Sequence, residues 1–414
     1  MGGFSWKNCP FGFFSKGPIV KTARSVVQRP VTSIGQLSLW LWLLFTGLLC
    51  GPLLARALGL GAAWPSYEDM MHNLDHPAAL WRWVVGDLSE VLFYKHEFAS
   101  MGLLGGAALA CWAARSGKRW QGFALARGSG LWPWLALSSL LGVLLGNLLW
   151  SWALSPVHWQ PTFVAFASLP AAAVLRYGVG WRVAWCGAIG AALLVTPLSI
   201  LAVHWLSAPL GWPRIVGQAA GMVAGCLLAM ELFRRFPLLV LARPLPARAA
   251  LAAPALRQDY RWVLRRALAD FSEAPAFGNE WASAGLILGV LLAWLLNPLA
   301  PAYGSGVLLE LVCAQALAAL LGVLRWRREW ARSGWYPTYV PLVSVVPSAI
   351  LLLGGEPWVM LGSAVLGALL TPPMAANLRC RLPAQVPDCV ADLLAMILGV
   401  LLILPPLAWI GTWL

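Results

Sequence analysis

The chain has 414 residues, of which 60% are hydrophobic and 11% charged, with a mean hydropathy of +0.73. A soluble domain of this size cannot sustain that balance, because its surface must face water, so the solvent for most of the chain is a lipid bilayer. A net charge of +13 would suit nucleic acid, but the basic residues lie in short segments between apolar runs, where they set membrane orientation.

Residues 1–36 carry Lys7, Lys16, Lys21, Arg24 and Arg29 and no acid, which reads as a basic cytoplasmic segment. The apolar run after it starts too late and runs too long for a cleaved signal, so 37–86 is expected to be a retained first span followed by an acidic periplasmic loop. His72 and His76 in that loop stand four residues apart, as helix-borne metal ligands do. With no counterpart elsewhere they read as part of an exposed acidic helix, and no metal or cofactor is expected. The eight cysteines form no C-x-x-C pair, so neither a disulfide framework nor a zinc cluster is expected.

A helix needs about 20 apolar residues to cross ~30 Å of hydrocarbon. After the run at 37–58, further runs lie at 98–115, 131–154, 161–177, 181–206, 213–233, 281–299, 306–325, 337–353, 357–376 and 387–413. The expected fold is therefore an all-α polytopic membrane protein of about 11 transmembrane helices. Lys and Arg concentrate in alternate connections, including Arg115 to Arg127, Arg234 to Arg266, Arg325 to Arg332 and Arg379 to Arg381, whereas 155–160, 299–305 and 354–356 have none. By the positive-inside rule this is an inner-membrane protein with its N-terminus cytoplasmic and its C-terminus periplasmic.

The sequence also repeats itself. Asp87-Leu-Ser-Glu90 returns as Asp270-Phe-Ser-Glu273, and Glu97-Phe-Ala-Ser100 as Glu280-Trp-Ala-Ser283. Further on, Trp150 matches Trp326, Trp159 matches Trp335, and Pro161-Thr-Phe-Val164 matches Pro337-Thr-Tyr-Val340. Each copy holds five spans, an odd number, so the second is expected to run through the membrane in the opposite sense. The expected domains are the segments 1–36 and 37–86, inverted repeat 1 at 87–233, a basic linker at 234–269, and inverted repeat 2 at 270–414. Arg257, Arg261 and Arg265 beside apolar residues suggest a basic amphipathic helix in that linker. This layout is similar to that of several transporter groups, urea-transporter-type channels among them.

Candidate site residues follow from the repeat. Glu97 and Glu280 head the first span of each copy, where a carboxylate near hydrocarbon calls for a reason, although an acid there also complements the helix dipole. Thr196-Pro197 and Thr371-Pro372 fall within matching spans; proline frees a backbone carbonyl, so paired breaks at these places would expose groups to a substrate. Ser168 and Ser344 lie nearby, and Thr162 and Thr338 follow prolines that open their spans. Asp87 with Glu90, and Asp270 with Glu273, have the spacing of helix capping boxes. Tryptophans near span ends, including Trp64, Trp159, Trp181 and Trp335, suit interfacial belts.

No nucleophile–base pair, metal cluster or nucleotide loop appears, so an enzyme is not expected. The reading is a permease or channel for a small neutral or cationic solute, with its path between the repeats. The partners are the bilayer and that solute, not nucleic acid, with homo-oligomerisation left open. The rival is a non-transporting scaffold or an accessory subunit of a larger inner-membrane complex.

Overall fold

The computed structural model describes residues 63–154, 159–240 and 258–413; the expected first span, the N-terminal basic segment and the middle of the expected linker lie outside them. The described chain is all-helical. Two short helices come first, α1 (Tyr67–His72) and α2 (Pro77–Glu90), then α3 (Glu97–Arg115), α4 (Trp132–Trp150), α5 (Leu169–Tyr177), α6 (Trp181–Ser207) and α7 (Arg214–Arg235). The linker ends in α8 (Tyr260–Ala269), and after it come α9 (Glu280–Leu296), α10 (Leu308–Ser333), α11 (Val345–Leu353), α12 (Pro357–Arg381) and α13 (Asp388–Gly411).

Seven of these, α3, α4, α6, α7, α10, α12 and α13, are long and apolar enough to cross a membrane, as a multi-pass membrane protein requires. Large apolar side chains such as Leu148, Leu201, Leu228, Leu361 and Leu402 stay exposed on them, where a soluble protein would place polar groups. Three other expected spans are shorter. Helix α9 has 17 residues, about 25 Å at 1.5 Å per residue. The runs at Val164–Tyr177 and Val340–Leu353 are interrupted at Ser168 (φ −124°, ψ −100°) and Ser344 (φ −143°, ψ −87°). Conversely, α13 runs unbroken through Pro405 and Pro406.

The close crossing of α3 with α9 is set by glycines. A Cβ on Gly102 would lie 2.0 Å from the carbonyl oxygen of Gly285, and one on Gly285 would lie 2.1 Å from that of Gly102. Gly106 meets the Trp281 carbonyl and Gly289 meets that of Phe98 in the same way, so the helices run antiparallel with backbones touching. Only small residues permit this approach, which is how helices associate where lipid removes the hydrophobic drive.

Asp87 and Asp270 do not cap helix N-termini. Asp87 lies in the last turn of α2, and Asp270 follows α8. The starts of these helices are capped by His76, with Pro77 in the first turn, and by Asp259, whose side chain accepts from the Trp262 N–H. Helix α8 is the expected amphipathic helix, with Arg265 exposed and Trp262, Val263 and Arg266 buried. Among the cysteines, Cys111, Cys186, Cys226, Cys313 and Cys389 are free thiols, whereas Cys380 is disulfide-bonded, which its spacing did not announce.

Candidate functional site

Two buried clusters form around the repeated carboxylates. In the first, Lys95 pairs with Asp87 and, at 2.6 Å, with Glu90, all three side chains fully buried. Asn147 donates to Asp87 (2.7 Å), while Trp159 Nε1 (2.8 Å) and Tyr303 Oη (3.1 Å) donate to Glu90 Oε1. The Lys95 ammonium stands 3.5 Å from the centre of the Trp83 ring. In the second cluster, Arg266 pairs with Asp270 (2.7 Å) and Glu273 (2.8 Å), and Arg127 (3.2 Å) and Trp335 Nε1 (2.8 Å) reach Glu273 Oε1. Trp159 and Trp335 thus bind carboxylates rather than forming part of a belt.

The clusters differ in cation count. Burial pushes the Glu90 carboxyl well above the usual carboxylate range, and Lys95 offsets only part of that. Burial acts on Glu273 in the same direction, but Arg266 and Arg127 together outweigh it and hold that carboxyl below its ordinary value. The difference is one guanidinium.

The carbonyls freed by Pro197 and Pro372 are already occupied. Helix α6 continues through Pro197 and α12 through Pro372 and Pro373, so neither breaks there. In α12 the missing Pro372 N–H would have bonded the Ala368 carbonyl, and Trp326 Nε1 donates to it instead (2.9 Å). In α6 a π-helical turn spans Ala191–Val195, and Thr196 bonds back five residues to Ala191; Pro197 would serve Ala192, and Trp150 Nε1 fills that place (2.8 Å). A π turn accommodates one extra residue, which is why the Thr-Pro pairs sit one position out of register. Neighbouring side chains re-satisfy the freed groups, as they commonly do in membrane helices.

Each candidate residue has a definite place. The hydroxyls of Thr196 and Thr371 donate to carbonyls of their own helices, Ala191 (3.2 Å) and Gly367 (3.0 Å), and both threonines are fully buried. Ser168 and Ser344 donate to Val164 and Val340, each at 2.7 Å. Thr162 and Thr338 accept from the indoles of Trp83 (3.0 Å) and Trp330 (3.3 Å). Glu97 accepts from Arg82 (2.7 Å) and Trp64 (2.8 Å), and Glu280 from Arg265 (2.7 Å) and the Phe123 N–H (2.6 Å). Because α3 and α9 are antiparallel, the two glutamates sit at opposite ends of that pair. His76 caps α2, and His72 lies against the Glu68 carbonyl (2.9 Å).

None of the ten candidate residues, Pro197 and Pro372 included, lines a buried cavity that the described residues enclose. That cavity, of about 70 Å³, is walled by residues from both sequence copies: Val91, Phe93, Phe163, Ala167, Ile215, Gln218, Ala219 and Met222 from the first, and Ala274, Tyr339, Val343, Cys389, Asp392, Leu393 and Met396 from the second. The candidates stand beside it, since Thr162, Ser168, Thr338 and Ser344 each adjoin a lining residue in sequence. Val91 and Ala274 directly follow Glu90 and Glu273, so an ion cluster flanks the cavity on each side.

The lining is apolar except at Gln218, Tyr339 and Asp392. Arg379 grips Asp392 through Nε (3.2 Å) and Nη2, and Tyr339 donates to it at 2.8 Å, so its charge is compensated. Gln218 is 4% exposed, and among the described residues its carboxamide has no hydrogen-bond partner. Sequence reasoning passed over Gln218 and Asp392 because they were two among several intramembrane polar residues. No family model, no curated protein and no solved structure matches this chain.

Proposed function

We propose that the chain is a membrane permease or channel for a small neutral or cationic solute, built from two inverted five-helix repeats, with its site in the cavity between them. The observation that carries this reading is the lining itself: residues of both sequence copies meet around one space. The antiparallel crossing at Gly102 and Gly285 supports the inverted relation, because a two-fold axis relating antiparallel spans lies in the membrane plane. Inner-membrane location with the N-terminus cytoplasmic remains part of the proposal.

Chemistry narrows the solute. No Lys or Arg lines the cavity and its carboxylate is already neutralised by Arg379, which disfavours an anion. A water needs roughly 10–15 Å³ of such volume, so a space of about 70 Å³ admits only a small solute. The free Gln218 amide offers both a donor and an acceptor. In proteoliposomes tested with urea, glycerol and methylammonium, the protein should raise permeability to at least one above protein-free vesicles. Gln218→Leu should reduce that flux by about tenfold, the equivalent of one hydrogen bond of ~1.4 kcal/mol.

The second reading, a non-transporting scaffold or accessory subunit, is favoured by the internal bonding of both proline carbonyls and all four candidate threonines. Folded protein that leaves vesicle permeability unchanged for all three probes would support it and overturn the permease.

A further inference from the structure

The two ion clusters are built on the same plan and filled differently. Ser89 and Ser272 each accept from the N–H seven residues on (3.0 Å) and donate to the carbonyl of that residue (3.0 and 3.1 Å), so the two acids of each cluster are held on the same backbone frame. Each cluster also receives one side chain from the other half. Arg127 reaches Glu273, and Tyr303 reaches Glu90, both from matching turns with left-handed backbone, Ala126-Arg127 (φ 49° and 55°) and Ala302-Tyr303 (φ 51° and 59°). Where one turn delivers a guanidinium, the other delivers a phenol.

The charge count follows. Asp270 and Glu273 face Arg266 and Arg127 and sum to zero, whereas Asp87 and Glu90 face Lys95 alone and sum to minus one. Of the other charged or titratable groups facing the site, Tyr67 on α1 and Tyr303 are phenols. Arg214 on α7 is exposed and stacks over the Trp159 ring at 5.5 Å instead of pairing with Glu90. An uncompensated carboxylate sealed from water costs several kcal/mol, and the usual relief is to take up a proton. Glu90 Oε2 lies 2.6 Å from the Lys95 ammonium but receives no hydrogen bond of ordinary geometry among the described residues.

We propose that the Asp87–Glu90–Lys95 cluster is a proton-binding site, occupied at neutral pH, with the proton carried on Glu90. A proton on Glu90 brings the cluster to zero net charge, matching the other. Asp87 accepts from Lys95 and Asn147. Because Val91 lines the cavity, gain or loss of this proton changes the charge one residue behind the cavity wall. The inference rests on charge accounting and stands whether or not the protein transports a solute.

Infrared spectroscopy of the purified full-length protein tests it directly, because a protonated carboxyl has a C=O stretch that a carboxylate lacks. In sodium-free buffer at neutral pH the wild type should show a protonated-carboxyl band that disappears on raising the pH. Glu90→Gln should lose that band while keeping the fold, since the amide mimics the neutral acid. Tyr303→Arg, which supplies the cation that the other cluster has, should also lose it with Glu90 still present. A wild-type spectrum identical to that of Glu90→Gln would overturn the proposal, as would a band that persists in a folded Tyr303→Arg. A melting temperature that rises specifically with sodium, with no band, would mean that a metal cation takes the place of the proton.

Discussion

Replacing Gly102 by alanine tests whether backbone contact between α3 and α9 holds the two halves together. The added Cβ would sit 2.0 Å from the Gly285 carbonyl oxygen, and ordinary contact starts at 3.4 Å, so the crossing must open by about 1.4 Å. A gap of 0.5–1 Å already forfeits roughly a quarter to a half of each dispersion contact, and the α3–α9 contact runs along both helices. Overpacking of this kind costs about 1–3 kcal/mol, occasionally more; backbone on the far side cannot rotate away, which places the cost at the upper end. Gly105 is the control on the same helix. A Cβ there meets nothing within 4 Å, so Gly105→Ala should be neutral or slightly stabilising. Thermal unfolding in detergent should give a clearly lower melting temperature for Gly102→Ala than for Gly105→Ala. Equal stability of the two variants would show that the helices are not in backbone contact.

The paired indoles lead to a second expectation. Trp326→Phe keeps most of the ring but leaves the Ala368 carbonyl without a donor, which should cost about 1–3 kcal/mol, and Trp150→Phe should cost a similar amount at Ala192; a variant as stable as wild type would mean the carbonyl has another partner. Membrane orientation is checked by cysteine labelling from the periplasm. Asn73→Cys, at an exposed position, should react and Ala250→Cys, in the basic linker, should be spared. The reverse pattern would invert the topology.

Much of the fold was legible in the sequence because a bilayer imposes coarse rules. Runs of apolar residues had to become helices, since hydrocarbon leaves backbone groups no other partner, and the runs containing α3, α4, α6, α7, α10, α12 and α13 did so. The repeat was legible because Asp, Ser, Glu, Trp and Thr recur in order, and the structure gives the recurring pairs parallel contacts, Trp150 with Trp326 and Trp159 with Trp335 among them. The use made of those residues was not legible. Proline says that a carbonyl loses its donor; whether an indole from another helix takes that place depends on packing far along the chain. The breaks therefore fell at Ser168 and Ser344, where backbone angles leave the helical region, and not at the prolines. Asp87 and Glu90 have a capping spacing, yet they end a helix because Pro77 and His76 start it earlier. Only tertiary structure decided that Gln218 and Asp392 face one space while Thr196 and Thr371 face their own helices, and that Arg127 and Tyr303 cross to opposite clusters. Each of these is a matter of which distant surfaces touch, and a linear pattern carries the period of a helix but not the partner of each face.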